Sequence, residues 1–465
     1  MFGKRSTQLK SPDELLDFVD TPSTAETVPI VNENRLVTLL KEDIATIRMD
    51  QAKTAVFNTL IDEIDLAELN KRDKANLHPE IREVVGQIIS AKGMALSSNE
   101  QQSLTDDICN DVLGLGPLEP LLQDDSITEI MVNDANTVFI ERNGLIERSD
   151  VRFTDNTRLM SLCSRISSTV GRRVDEANPM CDARLPDGSR VNIVVPPLAL
   201  NGPSLTIRKF KKQALTMLSL IESGSLSPAC AKLLEAAAAS QVNILISGGT
   251  GSGKTTLLNT LSASIDKRER LVTIEDTAEL QLPQPNVVSL EARPANMEGA
   301  GQITQRELLK NALRMRPDRI ILGEVRGPEA IDMLQAMNTG HEGSMGTLHA
   351  NSPRDAVIRL GNMIMLGNFG LSNTNVRCQI ASAIGLIVQV ARLRDGSRRI
   401  VNVTEITGIE GDAITMHDLF TFEYGGEDDH GNITGQLRAS RIRPHLIKQA
   451  TYFNREQDVL DAMGI

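Results

Sequence analysis

Tryptophan is absent from this 465-residue sequence, and only two tyrosines and ten phenylalanines bring aromatic residues to 3% of the chain. Few side chains are therefore available to stack on nucleic-acid bases. Positive charge is also in deficit, because 61 acidic residues outnumber 49 basic ones and leave a formal net charge of −12. Binding to a nucleic-acid backbone depends on clustered lysine and arginine. We therefore expect a protein or a small molecule as partner, and no nucleic acid.

Long apolar runs and paired cysteines are missing as well. No run approaches 18 consecutive apolar residues, so the sequence predicts no membrane-spanning helix, and residues 1–10 lack the apolar core of a signal peptide. The five cysteines are scattered, odd in number and without a C-x-x-C pair, which favours reduced, mostly buried thiols over disulfides or a zinc site. These absences predict a cytoplasmic protein that reaches a membrane only peripherally, through partners or lipid headgroups.

A glycine-rich segment lies between a predicted strand and a predicted helix. The β-branched run at 242–246 predicts a buried strand, and apolar residues at helical spacing predict a helix over 254–265. Glycines in such a loop let backbone N–H groups converge on an anion, and the helix N-terminus adds a favourable dipole. We expect the following residues to hold the phosphates of ATP: Gly248, Gly249, Thr250, Gly251, Ser252, Gly253, Lys254, Thr255 and Thr256.

Two acidic residues stand at the ends of later predicted strands. Cleavage of a γ-phosphoryl group needs magnesium, a positioned water and positive charge. Lys254 is expected to reach the β- and γ-phosphates, and Thr255 to ligate Mg²⁺. Glu275 ends the strand at 271–275 and Glu324 follows the strand at 319–322, so both are expected at the ligand-binding edge of a parallel sheet. We predict that Glu324 polarises the water and that Glu275 and Glu324 help to hold Mg²⁺; simple helix capping is the alternative.

Two of the six histidines, His341 and His349, lie in one glycine-rich segment after the Glu324 strand. An imidazole can donate a hydrogen bond to phosphate, so a γ-phosphate sensor is predicted here. A zinc pair is the weaker alternative, because the sequence shows no third and fourth ligand.

The chain is predicted to contain five segments. They are a flexible arm at 1–30, a helical bundle at 31–98, an α+β domain at 99–210, a linker at 211–227 and an α/β domain with a parallel sheet at 228–465. In the α+β domain, Ser103 is the predicted cap of its first helix, and strands at 128–132, 138–141 and 190–195 accompany a helix at 156–170. In the last segment, strands at 242–246, 271–275, 319–322 and 344–348 alternate with helices, and residues 387–390 and 400–406 form an antiparallel ribbon.

Four motifs in the second half carry a family resemblance. Residues 248–255, 274–280, 316–327 and 340–351 resemble, in order and spacing, the Walker A, Asp box, Walker B and His box of the type II/IV secretion ATPases. Segments 114–122, 127–133, 182–192 and 205–210 resemble the CpaF-like branch, the ATPases of Tad (Flp) pilus assembly. The tetra-cysteine zinc module found in relatives of the type II branch is absent from this sequence.

The resemblance implies a RecA-like P-loop domain preceded by a PAS-like α+β domain and an N-terminal helical extension. It also implies a homohexamer in which nucleotide lies between the two domains and arginines of the first domain reach the phosphates. By position this role falls on Arg190 and Arg208, and less securely on Arg184. Gly323 stands where many nucleoside triphosphatases have a magnesium-binding Asp; the family shares this departure, which leaves the second protein ligand of Mg²⁺ open.

The resemblance predicts a Mg²⁺-dependent ATPase that powers Tad/Flp-type (type IVb) pilus assembly and pilin extrusion, docked on platform proteins of the inner membrane. A VirB-type ATPase of type IV secretion or conjugation is the alternative within the family. A scaffold that binds ATP without hydrolysing it is the alternative from another class. The helices at 35–95 are either a structural bundle or a partner-docking surface.

Overall fold

A computed structural model describes residues 48–49, 51–60, 74–142, 144–210, 215–293, 295 and 300–465. The predicted flexible arm lies outside the described residues, as does much of the predicted helical bundle. The chain divides into two compact units, one up to Gly116 and one from Pro117 to Ile465. Among the described helices, none is both long enough and apolar enough to cross a membrane.

The first unit contains helical residues 51–60 and the helices Lys74–Ala91 and Ser98–Leu113. Their apolar faces share one core. The core includes Val56, Leu60, Ile81, Val85, Ile88, Ile89, Leu104 and Ile108. The sequence predicted helices over 35–95, and the helix Lys74–Ala91 lies within that range and buries Ile81, Val85, Ile88 and Ile89. The helix Ser98–Leu113, which the sequence assigned to the α+β domain, belongs to this core.

The predicted cap at Ser103 is wrong, because Ser97 caps the helix. The Ser97 hydroxyl accepts a hydrogen bond from the backbone N–H of Glu100 at 3.3 Å, and the Glu100 carboxylate accepts one from the Ser97 N–H at 2.7 Å. This reciprocal pair satisfies two backbone donors of the first turn. Ser103 lies inside the helix, where those donors are already paired.

The second unit begins with an antiparallel sheet of six strands, here called the first sheet. Its order is β3-β2-β1-β6-β5-β4. The strands are β1 Ile127–Asp134, β2 Thr137–Arg142, β3 Leu145–Arg148, β4 Met180–Arg184, β5 Arg190–Val194 and β6 Ser204–Arg208. The helices Glu119–Gln123 and Asn156–Thr169 accompany it. Burial alternates along β2, β4 and β5, so one face packs in a core and the other carries polar side chains.

The rest of the unit is built on a nine-stranded main sheet with the order β15-β14-β13-β12-β7-β11-β10-β8-β9. The six strands from β12 to β9 are parallel, and β13 to β15 extend them antiparallel. The strands are β7 Ile244–Gly248, β8 Leu271–Glu275, β9 Val287–Glu291, β10 Arg319–Leu322, β11 Met345–Leu348, β12 Leu386–Arg392, β13 Arg398–Glu410, β14 Ala413–Glu427 and β15 Ile433–Ala439. The α/β class with a parallel sheet is thus confirmed.

Helices cover both faces of the main sheet, which explains why β7, β8, β10 and β11 are buried along their whole length. One core includes side chains of the helices Met217–Glu222, Pro228–Ala239, Lys254–Ser262, Ile447–Tyr452 and Glu456–Met463. The other includes those of Gln305–Ala312, Glu329–Asn338, Pro353–Leu366 and Asn373–Ala383.

Two of the predictions for the main sheet need correction. β7 starts at Ile244 rather than at residue 242, because the Asn243 side chain donates to Ala383 O at 2.7 Å and accepts from the Ser344 N–H at 3.1 Å, anchoring the entry to the strand. The predicted ribbon is larger than expected and is not an appendage. Its first strand, β12, pairs parallel with β7 in the middle of the main sheet.

Candidate nucleotide site

The loop between β7 and the helix Lys254–Ser262, residues 248–255, is here called the phosphate loop. Gly251 and Gly253 have φ angles of +66° and +98°, a region that side-chain-bearing residues avoid. A Cβ atom on Gly248 would lie 2.3 Å from the carbonyl oxygen of Val390. The loop can therefore follow this path only with glycine at these positions, and its backbone stays close to the neighbouring strand.

Lys254 is the first residue of that helix and is 8% exposed. Its ammonium group donates to the carbonyl oxygens of Gly248 at 3.1 Å and Gly249 at 2.9 Å. Burial, assisted by nearby arginines and opposed by Glu324, lowers the pKa of Lys254 to about 8. A buried amine with a depressed pKa gains most from an anion, which would stabilise its charged form.

A cavity of about 450 Å³ lies beside this loop, within the size range of small-molecule sites. The phosphate loop and its helix contribute Gly251, Ser252, Gly253, Thr255 and Thr256, and the first sheet contributes Glu129, Glu141, Arg190 and Arg208. The Thr255 hydroxyl, the predicted magnesium ligand, thus lies in the wall of the cavity. The arrangement fits a phosphate-bearing ligand that contacts both sheets.

The three predicted arginines stand in one cross-strand row, because Arg184 pairs with Arg190 and Arg190 pairs with Arg208 in register. Arg208 lies 3.5 Å from Glu279 and 4.0 Å from Glu129, and it is about half exposed. Arg190 lies 3.6 Å from Asp182.

Arg184 differs from the other two, because its guanidinium is engaged elsewhere. It donates to Ala278 O and to Glu291, each at 3.1 Å, and it does not line the cavity. The structure therefore brings Arg190 and Arg208 to the candidate site. Arg184 instead connects the first sheet to β9 through its contact with Glu291.

Glu324 follows β10 and meets two cationic or potentially cationic side chains. Its carboxylate lies 2.9 Å from His349 Nε2 and accepts a hydrogen bond from Arg326 at 2.6 Å. Burial opposes ionisation of Glu324, but Arg326, His349 and Lys254 outweigh it and hold the pKa of the carboxyl below its ordinary value. Burial, together with Lys254, lowers the pKa of His349. At neutral pH this describes an ionised carboxylate beside an imidazole whose protonated form is disfavoured.

Glu275 is buried at the end of β8, and its carboxylate accepts hydrogen bonds from backbone N–H groups. One oxygen accepts from the N–H groups of Glu279 at 2.9 Å and Leu280 at 3.1 Å. Burial raises the pKa of Glu275 to about 7, against the lowering effect of these hydrogen bonds. Like Glu324, Glu275 does not line the cavity. Glu275 thus holds the loop that follows β8 and does not cap a helix, as the alternative predicted, and its contacts offer no support for its predicted role at Mg²⁺.

Gly323 leaves the space that Glu275 fills. A Cβ atom at position 323 would lie 2.6 Å from Cγ of Glu275. An aspartate at this position, as in many other nucleoside triphosphatases, would displace that side chain. Among the described residues no group of three or more His, Cys, Asp or Glu side chains could hold a metal by itself. Of the predicted magnesium ligands, Thr255 lines the cavity and Glu324 follows the carboxyl end of β10, and the phosphates of a nucleotide would have to complete the ligands of a bound Mg²⁺.

Gly323→Ala is expected to lower the free energy of unfolding by about 1–3 kcal/mol, because the new methyl group overpacks against Glu275. Thermal unfolding of the variant measures this. Gly361→Ala is the matched control, since a Cβ there meets only ordinary contacts at 3.9 Å and 4.0 Å inside a helix. An unchanged midpoint in Gly323→Ala would contradict the packing argument.

His341 is not brought to this site. It precedes β11, whereas His349 follows it, so the two lie at opposite edges of the main sheet. The phosphate loop follows β7, which runs parallel to β11, and shares the edge of His349. The predicted phosphate-sensor role therefore has structural support only for His349, and no support is found for a zinc pair.

Sequence reasoning missed three residues at the site. They are Arg326, Arg392 and Arg398. Arg326 could have been predicted from the sequence, because it follows Glu324 by two positions in the same motif. Arg392 ends β12 and Arg398 begins β13, and no local pattern distinguishes them from exposed arginines.

Comparison with known proteins adds independent findings. The family model described as "Type II/IV secretion system protein" matches residues 111–417. A putative conjugal transfer protein of Mycobacterium tuberculosis is 38% identical over 331 residues, which cover 66% of this chain and 94% of that protein. The type IV secretion system protein VirB11 of Bartonella henselae is 34% identical over 318 residues, covering 60% of this chain and 88% of that protein. A crystal structure of the VirB11 ATPase from Brucella suis, in complex with sulphate, is 33% identical, covers 62% of this chain and 94% of that one, and has a TM-score of 0.34.

Proposed function

Because this chain belongs to the type II/IV secretion system family of ATPases, we propose that it hydrolyses ATP to ADP and phosphate and that this reaction drives transport by a secretion machine. One observation carries the hydrolytic part of the proposal. Lys254 of the phosphate loop and the Glu324–His349 pair stand at the same edge of the main sheet, close enough for their charges to shift one another's pKa. A site that only binds ATP has no need of this carboxylate.

The residues of the nucleotide site have distinct roles in the proposed reaction. The phosphate loop and Lys254 bind the phosphates, and Thr255 with Glu324 would hold Mg²⁺, which supplies charge neutralisation at the phosphate oxygens. Glu324 is ionised at neutral pH, and each of its oxygens keeps a lone pair beyond the hydrogen bond from Arg326 and the close contact with His349. It can therefore orient a water and accept its proton. Arg208 and Arg190 supply positive charge from the first sheet.

The transport role is the finer part of the proposal. The named relatives include a putative conjugal transfer protein and VirB11, so they support the VirB-type alternative better than the predicted Tad/Flp pilus assembly. We therefore place type IV secretion or conjugation first. Pilus assembly stays the second candidate, because segments 114–122 and 182–192 match the CpaF-like pattern.

Several further predictions stay proposals. They are the homohexamer, the PAS-like character of the first sheet, the five segment boundaries, the cytoplasmic location and the docking on inner-membrane platform partners. Each follows from the family resemblance or from composition.

The proposal is tested by phosphate release from ATP with and without Mg²⁺, over a range of concentrations of the full chain. Mg²⁺-dependent release whose specific activity rises with concentration supports an assembled ATPase. Tight ATP binding without release, also in the presence of membranes from the source cells, would favour the scaffold. Deleting the gene and assaying plasmid transfer and pilin extrusion separately then decides between the two transport roles.

ATP binding is expected to weaken as pH rises above 8. The pKa of free Lys254 is lowered to about 8, whereas bound phosphates favour the charged amine, so binding at higher pH must take up a proton. Well above pH 8 the loss approaches about tenfold in affinity per pH unit, as for any single coupled proton. Calorimetric titration with Mg²⁺ and a non-hydrolysable ATP analogue, in buffers of different ionisation enthalpy, measures that proton. Lys254→Arg is the control, because its guanidinium stays charged; equal proton uptake by both chains would contradict the assignment.

A further inference from the structure

Two arginines flank the turn between β12 and β13, because Arg392 ends β12 and pairs in register with Arg398, which begins β13. Arg398 donates through Nε to the carbonyl oxygen of Gly251 at 2.8 Å. Arg392 donates through Nη2 to the carbonyl oxygen of Gly144, in the turn between β2 and β3. These two strand ends therefore contact the phosphate loop through Arg398 and the first sheet through Arg392.

Glu141 of β2 is the anion that these arginines share. Its carboxylate lies 3.4 Å from Nη2 of Arg398 and 3.9 Å from Nη1 of Arg392. Glu141 is only 8% exposed, and a buried carboxylate is costly unless it is paired. Removal of its charge would therefore release Arg398 from the orientation in which it reaches Gly251.

The contact at Gly251 bears directly on anion binding. In a planar trans peptide the carbonyl of Gly251 and the N–H of Ser252 point in opposite directions. Arg398 therefore fixes the direction of a backbone donor in the phosphate loop, although it bonds only the carbonyl. Gly251 precedes this peptide unit and has a positive φ, and a glycine there gives the unit more freedom than another residue would.

We propose that Arg398 is a positioning residue for ATP binding and that Glu141 holds it in place, so that the first sheet controls the order of the phosphate loop. The inference rests on the proposed function, since it concerns the same loop. The contacts from Glu141 to Arg398 and from Arg398 to Gly251 then link the first sheet to the phosphates. The link requires no contact of Glu141 or Arg398 with the substrate.

Calorimetric titration of the full chain with Mg²⁺ and a non-hydrolysable ATP analogue tests the link. Glu141→Gln and Arg398→Gln should each raise Kd by roughly five-fold, as expected for one partly exposed charged hydrogen bond. The double variant should be no weaker than either single variant, because both remove the same contact. In the ATPase assay KM should rise while kcat stays within about two-fold, a split that general destabilisation does not produce.

Glu147→Gln is the matched control, because Glu147 pairs with Arg142 on the same sheet at 2.8 Å and does not line the cavity. It should leave Kd unchanged. A native Kd in either Glu141→Gln or Arg398→Gln, additive losses in the double variant, or a loss in kcat at constant KM would overturn the link while leaving the proposed function intact. Absence of binding by the native chain would overturn the proposed function, and the link with it.

Discussion

Glu324→Gln should slow ATP hydrolysis by about 10²–10⁴-fold, the usual contribution of a general base. The amide keeps the size of the side chain but cannot accept the proton of the attacking water. ATP binding should persist, because Lys254 and the backbone of the phosphate loop are unchanged. The measurement is single-turnover phosphate release with Mg²⁺, beside calorimetric binding of a non-hydrolysable ATP analogue.

Glu342→Gln is the matched control for Glu324→Gln. Glu342 is exposed and lies beside His341, at the edge of the main sheet away from the phosphate loop. Its variant should hydrolyse ATP at the native rate. If Glu324→Gln retained native turnover, Glu324 would be a structural partner of Arg326 and His349, and the water would have to be activated by another group.

The phosphate loop and the two strand-end acids were predictable because their signals are local. A β-branched run, glycines and an amphipathic helix within some twenty residues define the loop, and parallel strands bring successive carboxyl ends to one edge. The same reasoning failed for His341. Proximity in sequence suggested one cluster, but the four residues of β11 separate the two histidines by about 13 Å of extended strand.

The remaining features of the site depend on contacts between distant parts of the chain. Glu141 and Arg398 are 257 positions apart, and no periodicity or motif connects them. The hydrogen bonds that the Glu275 carboxylate accepts from the backbone of Glu279 and Leu280 depend on the path of the following loop. Of the strands that the sequence did not predict, β3 has four residues that are all exposed, so it lacks the buried alternation that marks a strand.

Arg208→Ala should reduce kcat by about 10³–10⁵-fold if Arg208 acts as an arginine finger, the range known for such groups. The structure shows its guanidinium at salt-bridge distance from Glu279 and Glu129, in the cavity wall and about half exposed. Exposed pairs of this kind contribute only about 0–1 kcal/mol, so a bound phosphate can compete for the guanidinium. Steady-state hydrolysis at saturating ATP, over a range of protein concentrations, measures the effect.

Two further variants separate a finger from a general loss of positive charge. Arg208→Lys should recover little activity, because an ammonium cannot reproduce the two-pronged contact of a guanidinium with phosphate oxygens. Arg173→Ala should leave kcat unchanged, since Arg173 is 76% exposed, pairs with Asp175 and does not line the cavity. Near-native kcat in Arg208→Ala would remove Arg208 from the reaction. The same near-complete loss in Arg190→Ala would then identify Arg190, its register partner on β5, as the arginine that serves the phosphates.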